Sequence, residues 1–422
     1  MDNVDQFDII IAGGGLAGLT MANALLHRSG DDHAKAKLNI GLISPKFDEP
    51  DGRTTALLAH TIDILKNIDV WQHAAPKAAR MSVMRIIDNT KRFWHAPETA
   101  FKSVEIGLDS FGYNILNKDL SAALKENLNR YELYTRIEDK IAGAISVEDN
   151  VVIKLESGRE ISADLLIGAD GRNSMVRQSA NAGKAIGIRQ WKYPQTAIVL
   201  NFSHSLSHND TSTEFHNNTG PFTVVPLEKR VSSLVWVTSP QQAEVIKSLK
   251  PEVLDREIED QMHSILGKTK VITAVQSFEL SGMIAKQMGE GLFLLVGEAG
   301  HVFPPIGAQG YNLGIRDVDT LAKCIWNNPG CYENIADIYN SKRKNDIVSR
   351  TISVDLFNRS LLSEFIAAQA LRSASIMAIS QIDPIRRLMM REGVSPGLGL
   401  QALSDSFKRT DNFFQRAPHS NS

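Results

Sequence analysis

The residues of this chain that could do chemistry are glycines set beside acids, in three places. Gly13-Gly14-Gly15-Leu16-Ala17-Gly18 follows the apolar run Asp8 to Ala12. In that pattern Gly13 permits a tight turn, Gly15 lets the backbone approach a pyrophosphate, and Gly18 lets a strand and a helix pack closely. An anion would sit at the helix N-terminus, where unpaired N–H groups and the dipole favour negative charge. Gly168-Ala169-Asp170-Gly171 is the second place. The third is Gly297-Glu298-Ala299-Gly300-His301, continuing through Pro304-Pro305-Ile306-Gly307-Ala308-Gln309-Gly310. A strand that feeds such a loop and then a helix can lay bare backbone N–H groups against a ligand.

The flanking residues supply the elements. Asp8–Ala12 reads as a strand with β-branched centre Ile9-Ile10-Ile11, and a helix follows to about Arg28. A second strand, Leu38 to Ile43, ends at Ser44, where the fingerprint expects an acid for the adenosine ribose. Asp48, Glu49 and Asp51 lie a few residues on, and the pattern does not choose among them. Tyr113 to Leu124 is a short strand turning into a helix, with Lys118 near the helix start. Val151–Leu155 and Asp164–Ile167 read as strands about a Ser157-Gly158 turn and lead into the second glycine segment. Leu292–Val296 is short enough for a buried strand, and a helix is expected from about Asn312, with Leu313, Val318, Leu321 and Ile325 near helical spacing. From Pro194 to about Ala285 the character changes to alternating strands, among them Thr196–Phe202, Phe222–Pro226 and Ser233–Thr238. His204, His208 and His216 fall there in a Ser/Asn/Asp-rich loop without a cysteine partner, so no metal site is expected. After Asp317 the chain reads as helical, and Leu361, Phe365, Ala368, Ile376 and Ile379 give its tail an apolar face. That face suits either packing onto the core or contact with a membrane surface or partner. From about Leu400 the chain is polar.

Composition bounds the class. A length of 422 residues allows two or three domains, and 43% hydrophobic with 22% charged residues is globular. Lys and Arg number 46 against 48 Asp and Glu, a net −2 that leaves no nucleic-acid footprint. Cys324 and Cys331 alone make no disulfide framework and fit a reducing compartment. The N-terminus is acidic and Ile9–Ala12 is too short for a signal peptide core; no apolar run reaches the roughly 20 residues of a bilayer span. A cytoplasmic protein, soluble or peripheral to the inner membrane, is expected. The sequons at Asn201, Asn209 and Asn217 are then chance matches, and no internal repeat is visible.

Taken in order, the motifs resemble the FAD-dependent aromatic-ring hydroxylases, the class A flavoprotein monooxygenases. Carrying the resemblance are Gly-Glu-Ala-Gly-His301, Pro305, Gly307-Ala308-Gln309-Gly310 and Asn312, with Asp51-Gly52-Arg53 and the Gly-x-Asp-Gly-x-x-Ser-x-x-Arg pattern ending at Arg177. Within that family, Gln195-Thr-Ala-Ile-Val, Gly220-Pro221-Phe222, Ser233-Leu-Val-Trp236, Tyr339-x-x-x-Arg343-x-x-Asp346 and Val354-Asp355 resemble the ubiquinone-biosynthesis hydroxylases. The resemblance implies that Glu298, where the family most often has Asp, holds the ribityl chain. It implies that Pro305, Gly307, Ala308, Gln309 and Gly310 form the catalytic loop beside the isoalloxazine. The implied cofactor contacts are Gly13, Gly14, Gly15, Leu16, Ala17, Gly18, Ser44, Arg53, Lys118, Asp170, Gly171, Gly297, Glu298, Asn312 and Leu313.

The implied fold is α/β: a Rossmann-like FAD-binding domain assembled from residues 1–75, 113–190 and 286–335. Residues 76–112 and 191–285 make a β-rich substrate domain, and 336–422 the C-terminal helices and tail. The implied reaction is hydroxylation of a phenolic ring with FAD as resident cofactor, NAD(P)H as transient donor and dioxygen as co-substrate, through a flavin 4a-hydroperoxide. The implied substrate is a polyprenylphenol of the ubiquinone pathway, and a quinone-biosynthesis complex and a peripheral membrane contact are its natural partners. Two other expectations stay open: a hydroxylase of a small aromatic acid, which Pro304-Pro305-Ile-Gly307-Ala308-Gln309-Gly310 resembles, and a non-catalytic flavoprotein scaffold.

Overall fold

The computed structural model describes residues 5–29, 37–46, 52–90, 97–180, 185–305, 309–362 and 383–394. The expectations at Asp48, Glu49, Asp51, Gly307 and Ala308, at Phe365, Ala368, Ile376 and Ile379, and beyond Leu400 lie outside these residues.

The strand Asp5–Ala12 is the centre of the first sheet. It pairs in parallel with Ile40–Ile43 on one side and Glu160–Gly168 on the other. Tyr134–Ile137 and Phe293–Leu295 extend the parallel array outward. Ile9, Ile10 and Ile11, with Leu165, Leu166 and Ile167, are fully buried. Such unbroken apolar runs belong to parallel strands covered on both faces. The helices Leu16–Ser29 and Gln309–Asn327 contribute Leu19, Leu25, Leu313, Val318 and Leu321 to the same core. The three neighbouring strands Asp5–Ala12, Glu160–Gly168 and Phe293–Leu295 therefore end side by side, each opening into a glycine-rich segment.

The second sheet is built on Ile188–His204, a strand of 17 residues paired antiparallel with Val231–Thr238 and Gln276–Ala285. Gly220–Pro226 and Thr211–Asn217 follow as a hairpin, Val83–Asp88 adds in parallel, and Thr99–Lys102 closes that edge. At the other edge His301–Val302 pairs with Met283 and Ile284. Ile198, Leu200, Phe202, Phe222 and Trp236 pack with Ile246, Leu254 and Ile258 of two helices, Pro240–Ser248 and Pro251–Gln261. Alternation along the strands turns Ala197, Val199, Val235 and Val237 to the opposite face. A small third sheet, Thr54–Leu58 with Ala79–Met81 and Gly112–Leu116, meets the second through Thr54 Oγ1, which donates to Ser233 Oγ at 3.0 Å.

Three local expectations need correction. The helix expected from about Asn312 begins at Gln309, so Gln309 and Gly310 belong to its first turn rather than to the loop. The region from Pro194 to Ala285 holds two helices as well as strands; both begin at a proline, which is preorganised for a first helical position, and Ser239 caps the earlier one by accepting from Gln242 N. The histidines are not in a common loop. His204 ends the long strand and His216 lies within Thr211–Asn217. Their rings serve local bonds, His204 Nε2 with Ser232 Oγ at 3.0 Å and His216 Nε2 with Glu214 Oε1 at 2.8 Å. Burial lowers the His204 pKa. Among the described residues no group of three or more His, Cys, Asp or Glu could hold a metal ion.

Candidate active site

The three glycine segments touch one another. Gly13 has φ +110°, and a Cβ there would overlap the Ala169 carbonyl. A Cβ at Gly18 would overlap Gly13 O, so the first turn and its helix close only with hydrogen at that position. Gly297, φ +61°, stands so that a Cβ would be 3.2 Å from Ala17 Cβ, and one at Gly314 would be 3.1 Å from Gly297 Cα. Segments distant in sequence are thus packed closely together at the carboxyl ends of adjacent parallel strands, the place where open α/β sheets receive ligands.

One face of this convergence is open. A Cβ at Gly15, Gly171 or Gly310 would meet nothing within 4 Å among the described residues. Gly15 immediately precedes the helix Leu16–Ser29, and Gly310 lies in the first turn of Gln309–Asn327, so both expose helix N-terminal N–H groups. Asp170 Oδ2 accepts from Met175 N at 2.7 Å and Val176 N at 3.1 Å, while its buried Oδ1 has no partner among the described residues. A buried carboxylate oxygen wants a donor, and a sugar hydroxyl is one. Open glycine backbone, helix N-termini and an unsatisfied acceptor fit a group carrying both phosphates and a polyol, as FAD does.

Residues 295–301 form the tightest part of the site. Tyr339 OH donates to Leu295 O at 2.9 Å, and Arg177 Nη1 donates to Ala299 O at 2.6 Å. Asp317 Oδ2 accepts from Gly297 N at 3.0 Å and from His301 Nε2 at 2.6 Å. Its other oxygen accepts from Arg343 Nε at 2.8 Å, and Arg343 Nη1 continues to Asp346 Oδ2 at 2.6 Å. Asp346 also accepts from Arg316 Nη1 at 3.0 Å. Burial would raise the Asp317 pKa, but the facing His301 and Arg343 outweigh it and hold the carboxyl below the usual range. Burial likewise opposes the Arg343 charge, yet Asp317 and Asp346 hold its pKa above the ordinary arginine value. Within the turn only Glu298 is exposed; Gly297, Ala299, Gly300 and His301 are all buried.

The other expected residues divide. Ser44 is 2% exposed, packed beneath Gly14 at the end of Ile40–Ile43. Arg53 is exposed and stands 5.8 Å over the Phe278 ring of the second sheet, while Lys118 is exposed at the second residue of the helix Asn117–Leu128. Pro305 and Gly310 are exposed beside the open face. Two residues differ from expectation. The Asn312 side chain faces the third sheet, accepting from Leu58 N and Thr61 Oγ1 and donating to Ala56 O, and Leu313 is fully buried in the core. Both follow from the earlier helix start, which turns positions 312 and 313 inward. Sequence reasoning quoted Arg177, Tyr339 and Arg343 within motifs without giving them a role, and gave none to Asp317, whose signal was a charge among positions patterned for a core.

The fold is shared with p-nitrophenol 4-monooxygenase PnpA from Pseudomonas putida, with a TM-score of 0.75 at 16% identity, over 92% of this chain and 98% of that one. HpxO from Klebsiella pneumoniae, solved with FAD, shares it with a TM-score of 0.72 at 14% identity, over 93% and 99%. The chain belongs to the FAD binding domain family, which matches residues 6–346. Among named relatives, the ubiquinone hydroxylase UbiL of Rhodospirillum rubrum is 30% identical over 92% of this chain and 89% of its own length. The 3-demethoxyubiquinol 3-hydroxylase of Escherichia coli is 28% identical over 91% and 97%.

Proposed function

We propose that this protein is an FAD-dependent monooxygenase that hydroxylates the aromatic ring of a prenylated ubiquinone precursor, with NAD(P)H as donor and dioxygen as co-substrate. The observation that carries it is the convergence of the three glycine turns on one open face, supported by family membership and by relatives named for ubiquinone hydroxylation. In this reading the Gly13–Gly18 turn takes the pyrophosphate, Asp170 Oδ1 and Glu298 take sugar or ribityl hydroxyls, and the Pro305–Gly310 loop lies beside the ring. Bound FAD supplies the redox chemistry, accepting reducing equivalents from NAD(P)H and activating dioxygen for transfer of one oxygen atom.

The chain's own residues do the remainder. The partly exposed Val199 and Val235, with Phe278 of the same sheet at 41% exposure, offer an apolar wall to a greasy substrate. Arg53 beside Phe278 puts a cation at its margin, suited to a phenolate or to the cofactor. Such a wall excludes water from the reacting ring.

Delivery of a prenylated substrate fits a peripheral membrane contact. The helix Asp383–Val394 exposes Arg387, Arg391 and Met389, and the neighbouring turn Ser103–Ile106 exposes Val104 beside Lys102. Cations flanking apolar side chains suit an anionic bilayer surface. Among the described residues no helix is long and apolar enough to cross a membrane. The activity is tested by the visible spectrum of the purified protein, before and after NAD(P)H, with and without a prenylphenol. Flavin bands that bleach faster with the phenol, with hydroxylated product, are expected; a colourless protein, or one that oxidises NAD(P)H without hydroxylating the ring, overturns the reading.

A further inference from the structure

We propose that Asp317 is a positioning residue for the cofactor: with Arg343 behind it, it sets the 297–301 turn so that Glu298 faces the ribityl chain. This rests on the flavin reading of the site. The polar groups that hold the turn come from three helices. Tyr339 and Arg343 lie on the helix Ile335–Leu362, Asp317 on Gln309–Asn327, and Arg177 on Met175–Ser179.

Asp317 is the only one of these that grips the turn twice, at Gly297 N and at His301, four residues apart. The two ends of a short turn held by one carboxylate have a fixed separation, and the residue between them that points outward is Glu298. Asp317 is 0% exposed and Arg343 4%. A buried ion pair is costly to assemble and is a poor way to gain stability alone. Its geometry here is specific in three respects: charge-assisted bonds are short and directional, Arg343 is itself oriented by Asp346, and the buried His301 Nδ1 is left without a partner among the described residues. Glu298 has a flexible side chain with two methylenes, so its reach depends on where the turn is held.

The test is FAD titration of the full-length apoprotein, read by flavin fluorescence quenching, beside thermal melts. The proteins are wild type, Asp317→Asn, Glu298→Gln, their double variant, Arg343→Lys alone and combined with Glu298→Gln, and Leu254→Ala, the last a truncation in the core of the second sheet. Expected is a rise in FAD Kd of about tenfold for Glu298→Gln and at least as much for Asp317→Asn, with the double variant no weaker than the weaker single within about twofold, because both act through one contact. Arg343→Lys keeps the charge but loses the directed Nε–H, so a rise in Kd that also vanishes in the Glu298→Gln background is expected, and it carries the test should Asp317→Asn not fold. Leu254→Ala should lower the melting temperature and leave Kd alone. If Asp317→Asn and Arg343→Lys bind FAD within about twofold of wild type, or if their effects multiply with that of Glu298→Gln, Asp317 is merely structural and the proposal fails while the flavin site stands. If the wild type takes up no FAD, the flavin reading fails and takes the proposal with it.

Discussion

Single atoms decide several outcomes at this site. Gly18 and Gly15 belong to one motif yet answer differently to alanine. A Cβ at Gly18 overlaps backbone that cannot move away, whereas at Gly15 it meets nothing within 4 Å among the described residues. Gly18→Ala should therefore lower the melting temperature and abolish FAD retention together, and Gly15→Ala should melt like wild type yet bind FAD at least about tenfold more weakly; equal melting losses in the two would contradict the assignment. Asp317 sets an acid dependence. Its folded pKa lies below its unfolded value, near 3.9, so the unfolded chain binds more protons in the interval between the two. The carboxylate's contribution is complete above the unfolded value and is lost as pH falls through the folded one. Acid unfolding followed by circular dichroism should thus be less steep below about pH 4 in Asp317→Asn than in wild type. Legibility at this scale was uneven. Gly13, Gly15 and Gly18 are readable because their spacing is local, and so is Asp170 through its neighbours. The bonds of Asp317 to Arg343 and of Asn312 to Ala56 join positions 26 and 256 residues apart, which no local spacing encodes.

Elements were most legible where one face pattern dominated. The isoleucine run of Asp5–Ala12 and the alternation in Val231–Thr238 declare strands directly. The start of Gln309–Asn327 did not, because two glycines and two prolines just before it read as loop even though Gly310 is already helical. The helix Asp383–Val394 falls where helix was expected, but its docking was not foreseen, since it depends on a distant turn. Arg386 donates to both carboxylate oxygens of Glu105 at 2.6 and 2.9 Å and lies 4.5 Å over the Phe101 ring. Met390 packs with Phe111 beside it. With side chains 12% and 28% exposed, the pair is shielded enough to matter. Arg386→Ala should release the helix at a cost of about 2 kcal/mol, seen as faster amide exchange confined to residues 383–394 and little change in global melting. Exchange that spreads through the first sheet would show that the helix is part of the main cooperative unit instead.

The whole molecule pairs a largely parallel sheet with a larger, mostly antiparallel one, and in the proposed function the outer surface near Asp383–Val394 meets a membrane. Vesicles containing anionic lipid should retain the protein in flotation, and Arg387→Glu with Arg391→Glu should release it without altering FAD content; equal retention on neutral vesicles would remove the electrostatic part of that contact. The glycine motifs, which end at Arg177 and resume near Gly291, bracket the second-sheet strands from Ile188–His204 to Gln276–Ala285. Hidden from the sequence was how the two sides are joined. Phe293–Leu295 is a strand of the first sheet and His301–Val302, six residues later, an edge strand of the second. The link between those strands is a suture, not a hinge. A cut anywhere in 296–300 should leave fragments unable to complement each other, however well each half is otherwise folded.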